Sequence, residues 1–151
     1  MPQSLAKIYV HIVFSTKNRF PFLSDPAIRK EMHAYLGGTF NELDCPIIAV
    51  GGPADHVHAL CILSKNLPVS EVIGKAKRSS SKWVKTKGRE RGKFSWQAGY
   101  GAFSVSQSNV EQVRKYIQRQ EEHHRKKTFQ DEFREFLKAY QVEYDERYIW
   151  D

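Results

Sequence analysis

The sequence is poor in cysteine and has no long apolar run, and both absences narrow the kind of protein. The two cysteines, Cys45 and Cys61, lack a C-x-x-C spacing and favour a reducing compartment over a disulfide framework. No apolar run approaches the roughly 18 residues of a membrane span. Residues 1–15 alternate in polarity instead of forming the apolar block of a secretion signal. We therefore expect a cytoplasmic protein that does not bind membranes.

The charge of the chain is unevenly distributed. At 151 residues, 40% hydrophobic and 27% charged, the chain predicts one globular domain, with a core over 4–127 and a C-terminal helix and tail over 128–151. Residues 69–127 carry fifteen Lys and Arg against five Asp and Glu, whereas the tail carries three against seven. A basic centre indicates a polyanionic partner, because cations that neutralise phosphates release counterions. The alternative is that these basic residues only form the solvent-exposed face of a helix and bind no partner.

The order of predicted elements indicates the fold class. Alternation over residues 6–15 predicts a strand with one apolar face, and Ser24-Asp25-Pro26 begins a helix that Gly37-Gly38 weakens or ends early. Strands are predicted at 45–50 and 56–63, followed by a helix after Pro68, and the segment 94–105 is predicted to end in a strand. A helix over 109–127 is predicted to begin with a capping box of Ser108 and Glu111. A last helix carries the apolar and aromatic residues Phe129, Phe133, Phe136, Leu137 and Tyr140. This order predicts an α+β, ferredoxin-like (split βαβ) sandwich. Helices would cover one face of an antiparallel sheet, with two C-terminal helices added.

The pair His56-Val57-His58 lies inside the apolar strand 56–63. Residues i and i+2 of a strand point to the same face about 7 Å apart, so both imidazoles can converge on one metal ion. Such a pair also arises by chance, and both histidines are then structural.

The helix over 109–127 places Tyr116 and Gln120 at i and i+4, on the edge of its apolar stripe. A tyrosine there can be a core residue with its hydroxyl in water, or it can face a site. His123 flanks Tyr116 on the same side, and His124 projects into the apolar arc.

A basic stretch runs from residue 75 to residue 93 and ends in a polar loop over 86–93. Trp83, Phe94 and Trp96 lie within or beside it and could stack on bases, although Trp83 has the spacing of a core residue. The basic residues that we assign to DNA phosphates are Lys75, Lys77, Arg78, Lys82, Lys85, Lys87, Arg89, Arg91 and Lys93. The acidic tail is expected to lie outside the DNA path.

Three motifs in this order resemble the small single-tyrosine transposases of bacterial insertion sequences. The three motifs are His56-Val57-His58 within residues 55–60, the segment 96–101 and the segment 116–120. Residues 144–150 also resemble the C-terminal end of the family's sequences. These transposases belong to the HUH nuclease superfamily, and the REP-associated tyrosine transposases are relatives. The resemblance spans nearly the whole chain.

The resemblance implies that His56, His58 and Gln120 hold one divalent cation, Mg²⁺ or Mn²⁺, and that Tyr116 is the nucleophile. The metal would polarise the scissile phosphate of single-stranded DNA. Attack would leave a 5′-phosphotyrosine and a free 3′-hydroxyl, so a second strand can be rejoined without ATP. The implied function is DNA transposition by a homodimer that recognises hairpins at the ends of its element.

Two other functions remain open on the sequence. One is a non-catalytic module that binds single-stranded DNA or RNA, in which the histidines are structural. The other is a zinc hydrolase that uses His56, His58 and either His123 or His124. Two imidazoles alone suit zinc, whereas an amide oxygen and waters suit Mg²⁺ or Mn²⁺, so we follow the resemblance in the choice of metal.

Overall fold

The computed structural model describes residues 3–120 and 127–151. This part of the chain contains four strands and four α-helices. The strands are β1 (Tyr9–Ser15), β2 (Ile47–Gly51), β3 (His56–Ile62) and β4 (Gly101–Val105). The helices are α1 (Pro26–Glu42), α2 (Val69–Val84), α3 (Val110–Gln118) and α4 (Phe129–Ala139). No helix in the described ranges is long and apolar enough to cross a membrane.

The strands form one antiparallel sheet in the order β2-β3-β1-β4. The central strands are β1 and β3, with His11 opposite Leu60 and Val13 opposite His58. On its other side β1 pairs with β4, where Val13 lies opposite Gly101. Because α1 connects β1 to β2 and α2 connects β3 to β4, this is the split βαβ arrangement. The predicted ferredoxin-like α+β sandwich is confirmed.

One face of the sheet packs against α1 and α2 and forms the larger apolar core, which we call the core face. As predicted, α1 begins after Asp25, whose carboxylate accepts a hydrogen bond of 2.9 Å from the amide of Ala27. The helix continues through Gly37-Gly38 to Glu42, so it does not end early. Buried residues of the core face include Val10, Ile12, Phe14, Val57, Ala59, Cys61, Leu36, Phe40, Ile73 and Ala76.

The opposite face of the sheet, which we call the site face, is covered by α3 and α4. Two smaller apolar clusters join these helices to the sheet. The helices approach so closely that a Cβ atom on Gly51 would lie 2.4 Å from the carbonyl oxygen of Ile117. A Cβ atom on Gly101 would likewise lie 2.5 Å from the ring of Phe133. Glycine at these two positions therefore allows both helices to lie directly on the sheet.

The start of α3 differs from the prediction. The helix follows a 3-10 turn over Gln107–Asn109, and no side chain caps its first turn. Glu111 binds Arg114 one turn later instead of closing a capping box with Ser108, so the predicted capping box is wrong. The helix ends at Gln118, and residues 121–126 of the predicted helix 109–127 lie outside the described residues.

The C-terminal segment packs on its own chain. As predicted, α4 begins at Phe129, after Thr128, whose hydroxyl accepts a hydrogen bond of 3.2 Å from the amide of Asp131. Beyond α4 the chain returns to the sheet, where the amide of Gly99 donates to the carbonyl oxygen of Asp151 over 2.8 Å. Trp150 packs against the rings of α4. The aromatic tail therefore covers part of the protein's own core.

Candidate metal and nucleophile site

Two histidines of β3 lie side by side on the site face. His56 and His58 stand at i and i+2, so both side chains point to this face, and neither has exposed surface. The Nδ1 atom of His56 lies 2.8 Å from a carboxylate oxygen of Asp55. The Nδ1 atom of His58 lies 2.8 Å from Nε2 of His11, a residue of the neighbouring strand. With their Nδ1 atoms engaged, the two rings direct their Nε2 atoms toward one point.

That point is the carboxylate of Glu132, which α4 inserts between the histidines. Its Oε1 atom lies 2.9 Å from Nε2 of His58 and 3.4 Å from Nε2 of His56, and the residue is 1% exposed. Glu132 is not among the residues that the sequence predicts for the site, because it belongs to the acidic tail, which is expected to lie outside the DNA path. Its spacing is the available signal: Glu132 stands three residues after Phe129 and four before Phe136, on the apolar stripe of the helix.

Tyr116 of α3 reaches the same carboxylate from the other side. Its hydroxyl group donates a hydrogen bond to Oε2 of Glu132. Burial of the tyrosine and then the contact with Glu132 raise the pKa of Tyr116 above its ordinary value, and the nearby Gln120 amide opposes this effect. The tyrosine is therefore a neutral phenol here, and its proton faces Glu132.

Gln120 lies about one turn beyond Tyr116 and is 1% exposed. Its Nε2 atom donates to the backbone carbonyl of Tyr116 over 3.3 Å. Its Oε1 atom is buried and has no hydrogen-bond partner within the part of the chain that the structure describes. A buried amide oxygen without a partner costs free energy, and such oxygens are suitable ligands for hard cations.

The donor atoms at the site fit a divalent cation. The ligand atoms of His56, His58 and Glu132 all lie within 4.8 Å of one another. Both histidines have a hydrogen-bond partner on the opposite ring nitrogen, as metal-ligating histidines usually do. The Oε1 atom of Gln120, about one turn beyond Tyr116, is a buried oxygen with no hydrogen-bond partner among the described residues. This cluster could therefore hold a metal ion, with the identity of the ion left open by the donor set.

Burial and neighbouring charges set the protonation of the histidines. Burial, followed by the proximity of His58, lowers the pKa of His11 to about 3, although Glu132 opposes this effect. Burial also acts to lower the pKa of His56, but its hydrogen bonds to the carboxylates of Asp55 and Glu132 outweigh burial and raise that pKa above its ordinary value. His11 is therefore neutral at physiological pH.

A cavity of about 410 Å³ lies between α3 and α4 and opens beside Tyr116. Its walls include His11, Tyr116 and Glu132, so it reaches two members of the site directly. Aromatic rings of Phe136 and Tyr140 form another part of the wall. The cavity connects the nucleophile candidate with solvent, whereas His56 and His58 are fully covered.

The basic residues assigned to DNA are not grouped around Tyr116. Those within α2 lie behind the sheet, because α2 packs on the core face and the site is on the opposite face. Lys77 is half-buried, and its ammonium group donates to the carbonyl oxygens of Gln97 and Gly99, so it ties down this turn. Exposed members of the set are Arg78, Lys82, Lys85, Lys87, Arg89 and Lys93. A role in DNA binding stays a prediction for the whole set.

The aromatic residues proposed to stack on bases pack within the protein instead. Phe94 and Trp96 are buried in the core face, so they are not available to stack on bases. Trp83 stacks on Tyr35, with ring centroids 4.8 Å apart. His123 and His124, the alternative zinc ligands, lie outside the described residues.

The fold and the site together define an α+β sandwich protein in which a tyrosine adjoins a cluster of two histidines and one carboxylate that could hold a metal ion. Residues 4–120 match the model of the family described as IS200-like transposases. The chain belongs to this family, and the predicted resemblance is confirmed. The match ends at Gln120, so Glu132 and the rest of α4 lie beyond it.

Two solved structures are similar to this chain. A protein of Deinococcus radiodurans R1, described as a transposase, is 20% identical; the match covers 80% of this chain and 95% of that chain with a TM-score of 0.61. A REP-associated tyrosine transposase bound to a REP hairpin is 13% identical; the match covers 82% and 73% with a TM-score of 0.60. At these identities the likeness establishes the shared fold. No curated protein matches the chain.

Proposed function

We propose that this protein is a DNA transposase that cleaves and rejoins single-stranded DNA through a covalent bond to Tyr116. The observation that carries the proposal is that Glu132 contacts His56 and His58 with one oxygen and Tyr116 with the other. A metal-binding cluster and a nucleophile candidate therefore share one carboxylate. Membership of the IS200-like transposase family supports the same assignment.

In this proposal His56, His58 and Glu132 hold one divalent cation, Mg²⁺ or Mn²⁺, and Gln120 supplies a further oxygen. Such an ion would offset the charge that develops on the oxygens of the scissile phosphate. All these residues and Tyr116 are described within one chain. We propose a homodimer on the family resemblance alone, and light scattering of the purified protein would measure its mass.

The chemical step is a transesterification. Oε2 of Glu132 accepts the proton of the Tyr116 hydroxyl, and the phenolic oxygen attacks phosphorus. The bond from phosphorus to the 3′-oxygen breaks, and that oxygen leaves as a 3′-hydroxyl after taking up a proton from solvent. The 5′ side stays on the protein as a phosphotyrosine ester. Because this ester conserves the free energy of the phosphodiester, attack by another 3′-hydroxyl rejoins DNA without ATP.

We propose that the substrate is single-stranded DNA folded into a hairpin. The REP hairpin bound to one structural relative supports this class of substrate. The scissile phosphate would enter through the cavity beside Tyr116. The basic residues of α2 and the loop after it would contact DNA farther from the cut.

The test is covalent capture of hairpin oligonucleotides that carry flanking single strands, taken from the DNA beside the gene. In Mg²⁺ or Mn²⁺ we expect a protein–DNA adduct that resists denaturing electrophoresis, and we expect none with EDTA. Tyr116→Phe should abolish the adduct, whereas Tyr140→Phe, which changes another tyrosine of the cavity, should retain it. An adduct formed by Tyr116→Phe would contradict the proposal. Hairpin binding that ignores EDTA, without any cleavage, would favour a non-catalytic binding module.

A zinc hydrolase is the second candidate, because two histidines and one glutamate form a frequent catalytic zinc set. It predicts stoichiometric zinc in the purified protein and hydrolysis that survives Tyr116→Phe. Metal analysis together with the same adduct assay distinguishes the two candidates.

A further inference from the structure

His11 occupies an unusual place for a histidine. It lies in the central strand β1 on the site face and is 2% exposed. Its ring stacks on that of His58, with centroids 5.1 Å apart and an interplanar angle of 30°. It also meets the edge of Phe136 at 5.2 Å. Packing from two sides therefore fixes the ring of His11 against His58.

The contact between the rings of His11 and His58 has room for one proton between the two facing nitrogen atoms. Nε2 of His11 and Nδ1 of His58 are 2.8 Å apart, so one nitrogen must donate and the other must accept. Nε2 of His58 lies 2.9 Å from the Glu132 carboxylate, which accepts hydrogen bonds. A neutral His58 without a metal therefore carries its proton on Nε2. Its Nδ1 atom then accepts from His11.

A metal ion on His58 reverses these roles. A ligating Nε2 atom must offer its lone pair, so the ring proton of His58 moves to Nδ1. The Nε2 atom of His11 must then accept the hydrogen bond that it previously donated. An imidazole meets both requirements from the same position, because its proton can sit on either ring nitrogen.

His56 is held differently, and the contrast isolates the task of His11. Nδ1 of His56 faces the carboxylate of Asp55, which accepts in either state. That contact keeps the proton of a neutral His56 on Nδ1 and leaves Nε2 with its lone pair. His58 alone needs a partner that can change between donor and acceptor.

We propose that His11 is a positioning residue for the metal site, which donates to His58 in the metal-free protein and accepts from it when an ion is bound. This inference rests on the metal role proposed above for His58. It extends the site to β1, a strand that supplies no proposed ligand.

Calorimetric titration with Mn²⁺ tests the role of His11. His11→Phe keeps a flat ring but removes both the donor and the acceptor, and we expect Mn²⁺ affinity at least about tenfold below wild type. His11→Gln has an amide that can present either group, and we expect it to bind within about threefold of wild type. The matched control is His33→Phe, which removes a histidine of α1 away from the site and should leave the affinity unchanged. Equal affinity of His11→Phe and wild type would overturn the proposal.

A direct readout of the ring protons requires no variant. Nitrogen-15 NMR of wild type should place the His58 proton on Nε2 without metal and on Nδ1 in saturating Mg²⁺, and His11 should change in the opposite sense. A His58 proton that sits on Nδ1 in the metal-free protein would overturn the inference even if His11→Phe failed to fold. Metal uptake by wild type with unchanged uptake by His11→Phe refutes only the role of His11. A wild-type protein that takes up neither ion refutes the proposed metal site as well.

Discussion

The two faces of the sheet use the same strands for opposite purposes. In β3, Val57 and Ala59 point into the apolar core face, whereas the alternate residues His56 and His58 point into the site face. The site face also buries Glu132, an ionisable group from a helix. The larger apolar cluster lies on the core face, so this face contributes most of the buried apolar side chains. The site face holds a polar cluster that its own helices cover.

Truncation of the core face should have the largest effect on stability. Phe14 is fully buried between β1 and the helices, and Phe14→Ala should lower the free energy of unfolding by about 3–5 kcal/mol. Urea denaturation measures the loss. The control Phe20→Ala changes a ring that is 58% exposed and should have little effect. Metal affinity of folded Phe14→Ala should match wild type, and a parallel loss of affinity would show that the two faces are not separable.

Removal of the buried carboxylate of Glu132 should weaken metal binding at the site face. Glu132→Ala deletes a proposed ligand, and we expect Mn²⁺ affinity to fall roughly 100-fold, or about 2.7 kcal/mol. Calorimetric titration gives the affinity. Glu135→Ala is the matched control, because this glutamate lies one turn away and is exposed where it pairs with Lys127. If both variants bind Mn²⁺ like wild type, Glu132 is not a ligand.

The contribution of the site face to stability should depend on pH, because this face buries His11. The titratable groups that face His11 are His58 of β3, Tyr116 of α3 and Glu132 of α4. With the pKa of His11 near 3 in the folded protein and about 6.5 when unfolded, the unfolded chain binds more protons between these values. Stability due to neutral His11 is therefore present above pH 6.5 and is lost as the pH falls toward 3.

His11→Phe should remove this part of the pH dependence. From pH 7 to pH 5 the wild-type protein should lose about 2 kcal/mol more stability than the variant. Urea denaturation at both pH values measures the difference. Parallel losses in wild type and His11→Phe would show that His11 takes up a proton in the folded state as readily as in the unfolded state.

The smallest effect concerns the buried side-chain oxygen of Gln120. Gln120→Leu removes an oxygen that has no hydrogen-bond partner among the described residues, and the change should stabilise the metal-free protein by about 1 kcal/mol. The same variant should bind Mn²⁺ more weakly, so stability and affinity move in opposite directions. Thermal melts with and without Mn²⁺ measure both, and Gln112→Leu on an exposed position of α3 is the control. Destabilisation of the metal-free protein would contradict this account of the oxygen.

The sequence predicts the strands of the sheet and the relative positions of the histidine pair, because both depend on the spacing of residues within one element. The same holds for Tyr116 and Gln120. Alternation places His56 and His58 on one face, and helical spacing places Gln120 about one turn beyond Tyr116. The arrival of Glu132 depends on how α4 docks on the sheet, which no local pattern encodes. The packing of α2 on the core face, away from Tyr116, is likewise a tertiary property that the charge count of residues 69–127 does not reveal.

A crystal soaked in Mn²⁺ tests the central claim most directly, because anomalous scattering locates the ion without reference to activity. The account predicts one strong anomalous peak within bonding distance of Nε2 of His56, Nε2 of His58 and a carboxylate oxygen of Glu132. A peak elsewhere, or none at a Mn²⁺ concentration that supports adduct formation, would contradict it.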